Sequence, residues 1–262
     1  MSISPKLFLS ASLMAALAAC GGTSVSVPAA SFVEGPTSIS YTPTTGALSL
    51  GGAVVADPQG QVLHTDGGAN LIRSTDGSTY SARAQNAHVY ALTASTIGGA
   101  ELTSATFGRT GSSVLSGSGT YTGEYARYYV RNPAGATNQF ISTAVDGDVS
   151  LTANLSNSTV SGAITNRRSL TRDGVFRPTP QIADLTISGG TIAANGTFSA
   201  TATGGEYRGS AAATPYTTAN GRVNGVFGGA NGEAAAGVLR IETTSPGGTD
   251  YVETGAFVTT KN

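Results

Sequence analysis

The chain has 262 residues, and its 14 basic and 15 acidic side chains give a formal net charge of −1. This balance leaves no net positive charge, which argues against nucleic acid as a partner. A single cysteine excludes a disulfide-linked scaffold. With 36 glycines and only 11% charged residues, the polarity is that of a disordered chain, but regular alternation of apolar residues predicts a folded one.

Residues 1–19 have the features of a bacterial lipoprotein signal peptide. One lysine precedes an apolar run, 7–19, that is too short to span a bilayer and ends in small residues. The sequence Leu-Ala-Ala-Cys then resembles the lipobox, in which the cysteine, here Cys20, is acylated and becomes the new N-terminus. Because Gly21 follows in place of aspartate, we expect export to the outer membrane, with the lipid as the membrane anchor.

Residues 20–41 are rich in Ser, Pro, Gly and Ala and show little periodicity, which predicts a flexible tether. In residues 42–110, short alternating segments are bounded by Asp-Gly and Gly-Gly turns, so we expect a small, open N-terminal β-subdomain. Its predicted strands are 47–56, 61–73, 79–83, 88–94 and 101–109. A Ser- and Gly-rich segment, 111–119, marks the boundary to a second domain.

The second domain, 112–262, is predicted to be an eight-stranded antiparallel up-and-down barrel that folds alone. Apolar residues alternate with Ser, Thr and Asn over 149–155, which indicates one buried and one wet face. Polar outward faces argue against a barrel embedded in lipid. The fold class is therefore all-β. The predicted strands are 120–130, 140–155, 159–166, 181–191, 196–208, 222–228, 235–243 and 251–259.

A pattern of glycine and phenylalanine runs through the last three predicted strands. The letters G-x-F-x-G-x-x-x-E-x-x-x-G and a later Gly-Ala-Phe are formed by Gly225, Phe227, Gly229, Glu233, Gly237, Gly255, Ala256 and Phe257. This pattern resembles the C-terminal barrel of the transferrin-binding protein B type of surface lipoprotein. The resemblance implies an outer-membrane, lipid-anchored protein at the cell surface that captures an extracellular ligand beside a partner transporter. An iron-carrying or haem-carrying protein is the implied ligand, and the single short lobe, where the family has two, argues against transferrin itself.

The lengths of the predicted connections favour one end of the barrel for binding. Alternate connections of an up-and-down barrel share an end, and the four longer ones, 131–139, 167–180, 209–221 and 244–250, fall on the end away from the tether. Loops on a rigid scaffold concentrate binding residues, and clustered arginines make this end locally basic. We therefore predict that a partner contacts Tyr128, Tyr129, Arg131, Arg167, Arg168, Arg172, Phe176 and Arg177.

Neither a metal, nor a cofactor, nor catalysis is predicted. His64 and His88 stand alone on predicted strands, and the Asp-Gly-Asp at 146–148 lacks further oxygen ligands and is interpreted as a turn and strand start. The chain contains no G-x-S-x-G or H-E-x-x-H motif, so a hydrolase is the weakest hypothesis. An extracellular protein or small solute is the expected ligand. The alternative is a structural or adhesion lipoprotein of the envelope without a soluble ligand.

Overall fold

The structure is a computed structural model, and it describes residues 24–25, 39–42, 47–50, 53–56, 61–73, 79–96, 103–110, 116–132, 140–171, 175, 182–204, 218–244 and 250–262. Within these ranges every regular element is a β-strand. Nowhere in them is there a helix with the length and apolar character that crossing a bilayer requires. The predicted all-β class, with an N-terminal β-subdomain followed by a closed eight-stranded barrel, is confirmed.

Among the described residues, nine strands precede the barrel and form two antiparallel sheets. One sheet has three strands, β2 (Ile39–Thr42), β3 (Ala47–Leu50) and β4 (Ala53–Ala56). The other, which we call the N-terminal sheet, has six: β1 (Ser24–Val25), β5 (Gln61–Asp66), β6 (Ala69–Arg73), β7 (Thr79–Gln85), β8 (Val89–Thr96) and β9 (Thr103–Thr110). Their order across this sheet is β1-β9-β8-β7-β6-β5.

Two features of the N-terminal sheet differ from the sequence prediction. The predicted segment 61–73 is two strands, β5 and β6, joined at the Asp-Gly turn expected at Asp66, where Gly67 adopts a φ of 51°. Strand β1 lies inside the segment predicted as a tether. It pairs with the end of β9, where Ser24 lies opposite Thr110.

The barrel strands are β10 (Ser118–Asn132), β11 (Phe140–Asn154), β12 (Thr159–Leu170), β13 (Leu185–Ile192), β14 (Thr197–Gly204), β15 (Thr218–Gly228), β16 (Ala234–Thr244) and β17 (Asp250–Lys261). Each strand pairs with the next, and β17 returns to β10, where Tyr125 lies opposite Phe257. Closure satisfies the backbone groups that a sheet edge would expose.

The barrel has two distinct ends. The short connections 155–158, 193–196 and 229–233 share one end, which we call the tight end, and the connections after β10, β12, β14 and β16 share the other, the distal end. Strand β9 reaches the tight end, where Arg109 Nη1 donates a hydrogen bond to the carbonyl of Phe227 at 3.2 Å. Because β1 pairs with this part of β9, the start of the described chain lies at the tight end.

Inside the barrel, glycines receive aromatic rings from neighbouring strands. A Cβ atom at Gly237 would lie 2.5 Å from Phe257 Cζ, and one at Gly255 would collide with the ring of Tyr125. Gly225 stands in the same relation to the ring of Phe198. The glycines of the sequence pattern therefore make room for the barrel core, which a larger side chain would overpack.

Part of the barrel exterior is also buried, and this was not predicted. Outward-facing residues of β10, β15, β16 and β17 share one hydrophobic cluster with the N-terminal sheet, and we call this contact the seam. Its members include Leu71, Tyr80, Val89 and Phe107 from the sheet, and Ala126, Tyr128, Val226, Val238, Ala256 and Val258 from the barrel. The rings of Tyr80 and Tyr128 meet edge to face at 5.3 Å. A separate fragment 112–262 would expose this apolar strip.

Candidate functional site

Three of the residues predicted to contact a partner are buried. Tyr128, Tyr129 and Arg167 are 2%, 2% and 4% exposed. Tyr128 and Tyr129 lie within β10, inside the strand already predicted over 120–130, and Arg167 lies within a strand because β12 runs past its predicted end at 166. Tyr128 belongs to the seam, whereas Tyr129 and Arg167 face the barrel interior. The sequence interpretation of these three as surface residues is therefore corrected.

The other predicted partner contacts lie at or beyond the strand ends. Arg168, on β12, is about half exposed, at 52% of its side chain. Arg131 is within β10, but its side chain is outside the described residues, as are Arg172, Phe176 and Arg177 altogether. Cys20 is also outside them. For these residues the role in binding or lipidation stays a prediction.

The distal half of the barrel interior contains a buried charged group, the arginine cluster, formed by Tyr125, Arg127, Tyr129, Arg167 and Glu253. One oxygen, Glu253 Oε1, accepts hydrogen bonds from Tyr125 Oη at 2.6 Å and Arg167 Nη2 at 2.7 Å. The Nε of Arg127 lies 3.1 Å from the same oxygen. The guanidinium of Arg127 also stacks on Tyr129, with its Cζ 3.4 Å from the ring centroid.

The arginine cluster keeps Glu253 ionised and Tyr125 neutral. Burial acts to raise the pKa of Glu253, but the charges of Arg127 and Arg167 and the hydrogen bond from Tyr125 outweigh it and lower this pKa. Burial, together with the charge of Glu253, raises the pKa of Tyr125 well above its ordinary value. At neutral pH the phenol is therefore a hydrogen-bond donor to a carboxylate.

A β-bulge in β12 directs Arg167 into the barrel. The register with β11 shifts between Asp146 and Asp148, and Asn166 adopts a φ of 51°, which non-glycine residues rarely do. The extra residue in β12 reverses the facing of the residues that follow it, so that Arg167 faces the barrel interior. Arg168 therefore points outward and forms a bidentate pair with Asp146, at 2.9 and 2.6 Å, and a bond to Asp66 of the N-terminal sheet at 2.8 Å.

We expect the bulge to depend on the left-handed conformation of Asn166. Replacing Asn166 with Val should lower the free energy of unfolding by about 2 kcal/mol, because a β-branched residue is strained at positive φ. Asn166→Gly should stay within about 1 kcal/mol of wild type, since glycine adopts this φ without strain. Urea denaturation measures both values.

Thr165→Val is the matched control, because it introduces the same side chain one residue away in ordinary strand conformation. A loss with Thr165→Val as large as that with Asn166→Val would show that the cost comes from valine on this strand and not from the φ of the bulge.

A polar cleft of about 670 Å³ lies outside the arginine cluster, at the junction of β12 and β13. Pairing between these strands in the described chain ends with Ile164 opposite Leu185, and Arg167 Nη1 donates to the carbonyl of Ala183 beyond that point. The cleft therefore opens where the backbone pairing of β12 with β13 ends and a side-chain hydrogen bond joins the two segments instead. Its lining residues are Asp66, Asp148, Asn166, Arg167, Arg168, Ile182 and Asp184.

No metal centre is formed by the described residues, in which no three His, Cys, Asp or Glu side chains are grouped to hold an ion. The Asp-Gly-Asp segment 146–148 lies within β11 and is not the turn that the sequence interpretation assigned there. Asp146 is bonded to Arg168, and Asp148 accepts a hydrogen bond from the side chain of Asn166. Both carboxylates therefore stabilise the bulge region.

The sequence analysis missed Arg127 and Glu253 as interior residues. The two-residue period of a strand could have identified them. On β10, Arg127 is in phase with the inward-facing Tyr121 and Tyr125, and on β17, Glu253 is in phase with Phe257. Both residues lie within the predicted strands 120–130 and 251–259, but a charged side chain gives no signal of an inward position.

Neither a family model nor a curated protein matches the chain, but several solved structures do. Transferrin-binding protein B of Haemophilus parasuis matches with 11% identity and a TM-score of 0.41, over 79% of this chain and 39% of that one. Intact Ap-TbpB, with N and C lobes, matches with 14% identity and a TM-score of 0.40, over 80% and 42%. The isotype 1 protein of serogroup B Neisseria meningitidis matches with 13% identity and a TM-score of 0.43, over 76% and 37%. The chain spans about two fifths of the length of these proteins, which are named for the family that the glycine and phenylalanine pattern resembles.

Proposed function

We propose that this protein is a lipoprotein of the outer-membrane surface, anchored by a lipid on Cys20, that binds an extracellular ligand at the distal end of its barrel. One observation carries the proposal: β1, the first described strand, pairs with β9 at the tight end, opposite the end from which the longer connections leave. An anchor only a few residues before Ser24 holds the tight end toward the membrane. The distal end then faces outward.

The proposed ligand is a protein with an acidic surface. Arg172 and Arg177 belong to the connection between β12 and β13 at the distal end, and Arg168 is exposed at the same side of the barrel. Positive charges on exposed loops speed the encounter with an acidic partner. The similar structures are transferrin-binding proteins by name. For this chain we propose an iron-carrying or haem-carrying protein, released to an outer-membrane transporter, and no catalytic step.

Capture on the immobilised, lipid-free protein from host or environmental fluid identifies the partner. With that partner, Arg172→Ala combined with Arg177→Ala should slow association on the order of tenfold at low salt and reduce its salt dependence. We expect no change in the melting temperature, because loop arginines at a binding surface, as proposed here, contribute little to folding. Surface plasmon resonance over a range of salt concentrations measures the rates.

Arg222→Ala removes an exposed arginine from the flank of the barrel, on β15, and serves as the control with an unchanged association rate. Equal rates for wild type and the double variant at low salt, together with loss of capture from changes in 42–110, would assign binding to the N-terminal domain. If nothing is captured by the wild-type protein, the structural or adhesive role is favoured.

A further inference from the structure

Arg127 is a buried cation whose hydrogen-bonding capacity the described residues leave unused. Its side chain is 0% exposed, yet none of its three guanidinium nitrogens makes a hydrogen bond with acceptable geometry to a described residue. The Nε of Arg127 is near Glu253, but the aligned donors of that carboxylate are Tyr125 and Arg167. Buried polar groups are almost always paired, so these donors indicate a further acceptor.

The charges of the arginine cluster do not cancel. Two guanidinium groups share one carboxylate, and Tyr125 is neutral, so that one positive charge is left in excess. An uncompensated buried charge is strongly unfavourable, and an anion at this point would remove the excess. The excess charge lies in the barrel interior, where Arg127 is 0% exposed.

The geometry of Arg127 suits an oxyanion. Its flat face is covered by Tyr129, which holds the guanidinium plane and leaves the in-plane edge with both Nη groups. A fixed guanidinium edge matches the two oxygens of a carboxylate or phosphate. Arg167, which is bonded to the same oxygen of Glu253, also lines the cleft, so one side chain connects the cleft with the arginine cluster.

We propose that the arginine cluster is a binding site for a small oxyanion, held by Arg127 and Arg167 and entered from the cleft between β12 and β13. A carboxylate of a small solute and inorganic phosphate share this chemistry. Two further carboxylates, Asp148 and Asp184, line the cleft and are not paired with an arginine among the described residues. They repel dianions more than monoanions, so we expect a monocarboxylate to bind more tightly than phosphate.

Thermal unfolding of the wild-type protein, followed while acetate or phosphate is titrated at constant ionic strength against chloride, tests the site. The proposed site is supported if either oxyanion raises the melting temperature in a saturable way and chloride does not. The oxyanion that binds more tightly then identifies the ligand chemistry. Identical curves in acetate, phosphate and chloride overturn it. The readout needs no protein partner and is independent of the proposed function.

Arg127→Met separates a binding role from a structural one. In oxyanion-free buffer this variant should melt at or above the wild-type temperature, because the excess charge is gone and Arg167 still pairs with Glu253. Its affinity for the oxyanion should fall at least tenfold. If Arg127→Met does not fold, Arg127→Lys, which keeps the charge and loses the planar edge, serves for the same comparison. Arg222→Met is the control that should keep the wild-type response, and an unchanged response in the Arg127 variants refutes the site.

Discussion

Replacing Glu253 with Gln is expected to lower the free energy of unfolding by roughly 3–5 kcal/mol, since it leaves two buried arginines without their shared counter-ion. Glu253 is 3% exposed and receives all the charged contacts of the arginine cluster on one oxygen. The folded-state pKa of Glu253 lies below its ordinary value, so its contribution is complete above the unfolded pKa and is lost as the pH falls through the folded one. The difference between wild type and variant should therefore disappear in acid.

Denaturant unfolding of the purified protein across a range of pH measures this effect. Glu242→Gln is the matched control, because Glu242 pairs with Arg240 at the surface and is about half exposed, so it should change stability by less than about 1 kcal/mol. A Glu253→Gln variant as stable as Glu242→Gln at neutral pH would mean that the arginine cluster is not held by this carboxylate.

The second large effect is expected at the seam, where Val258→Asp should lower the free energy of unfolding by roughly 3–5 kcal/mol. Val258 is 3% exposed on the outward face of β17 and shares a hydrophobic cluster with residues of the N-terminal sheet. A Cβ atom at Gly68, in the β5–β6 hairpin, would lie 2.8 Å from Val258 Cγ1, which shows how closely the sheet approaches. An unpaired carboxylate at this contact is buried without a partner.

Thr260 lies two residues further along β17, on the same outward face, and is exposed. Thr260→Asp should therefore stay within about 0.5 kcal/mol of wild type. Chemical denaturation of both variants provides the comparison. Equal stabilities of Val258→Asp and Thr260→Asp would show that packing of the N-terminal sheet on the barrel does not depend on an apolar residue at Val258.

The strand count could be predicted because the barrel obeys the two-residue period wherever one face is apolar. The alternation over 149–155 identified β11, and short polar turns fixed the tight end closely. The distal ends of β10 and β12 were predicted too short, because these two strands continue through charged residues. Arginine is seldom buried, so Arg127 was not assigned to the core, although it lies within the predicted strand 120–130 and the phase of β10 directs it inward.

The bulge and the seam could not be obtained from the alternation alone. A single extra residue in a strand reverses the facing of every residue after it. Nothing in the sequence around Asn166 requires the positive φ that this residue adopts. Without the bulge, Arg168 would have faced inward in place of Arg167. The seam left a weak signal, the nearly continuous apolar runs 234–239 and 255–258, which are typical of strands buried on both faces.

The orientation of the protein on the cell is tested most directly by labelling Val175→Cys with a membrane-impermeant maleimide in intact cells. Val175 follows β12 at the distal end and is 63% exposed, and the only native cysteine, Cys20, is expected to be acylated and unreactive. We expect Val175→Cys to be labelled before any disruption of the outer membrane and wild type to remain unlabelled. Labelling of Val175→Cys only after the outer membrane is opened would contradict display of the distal end at the surface.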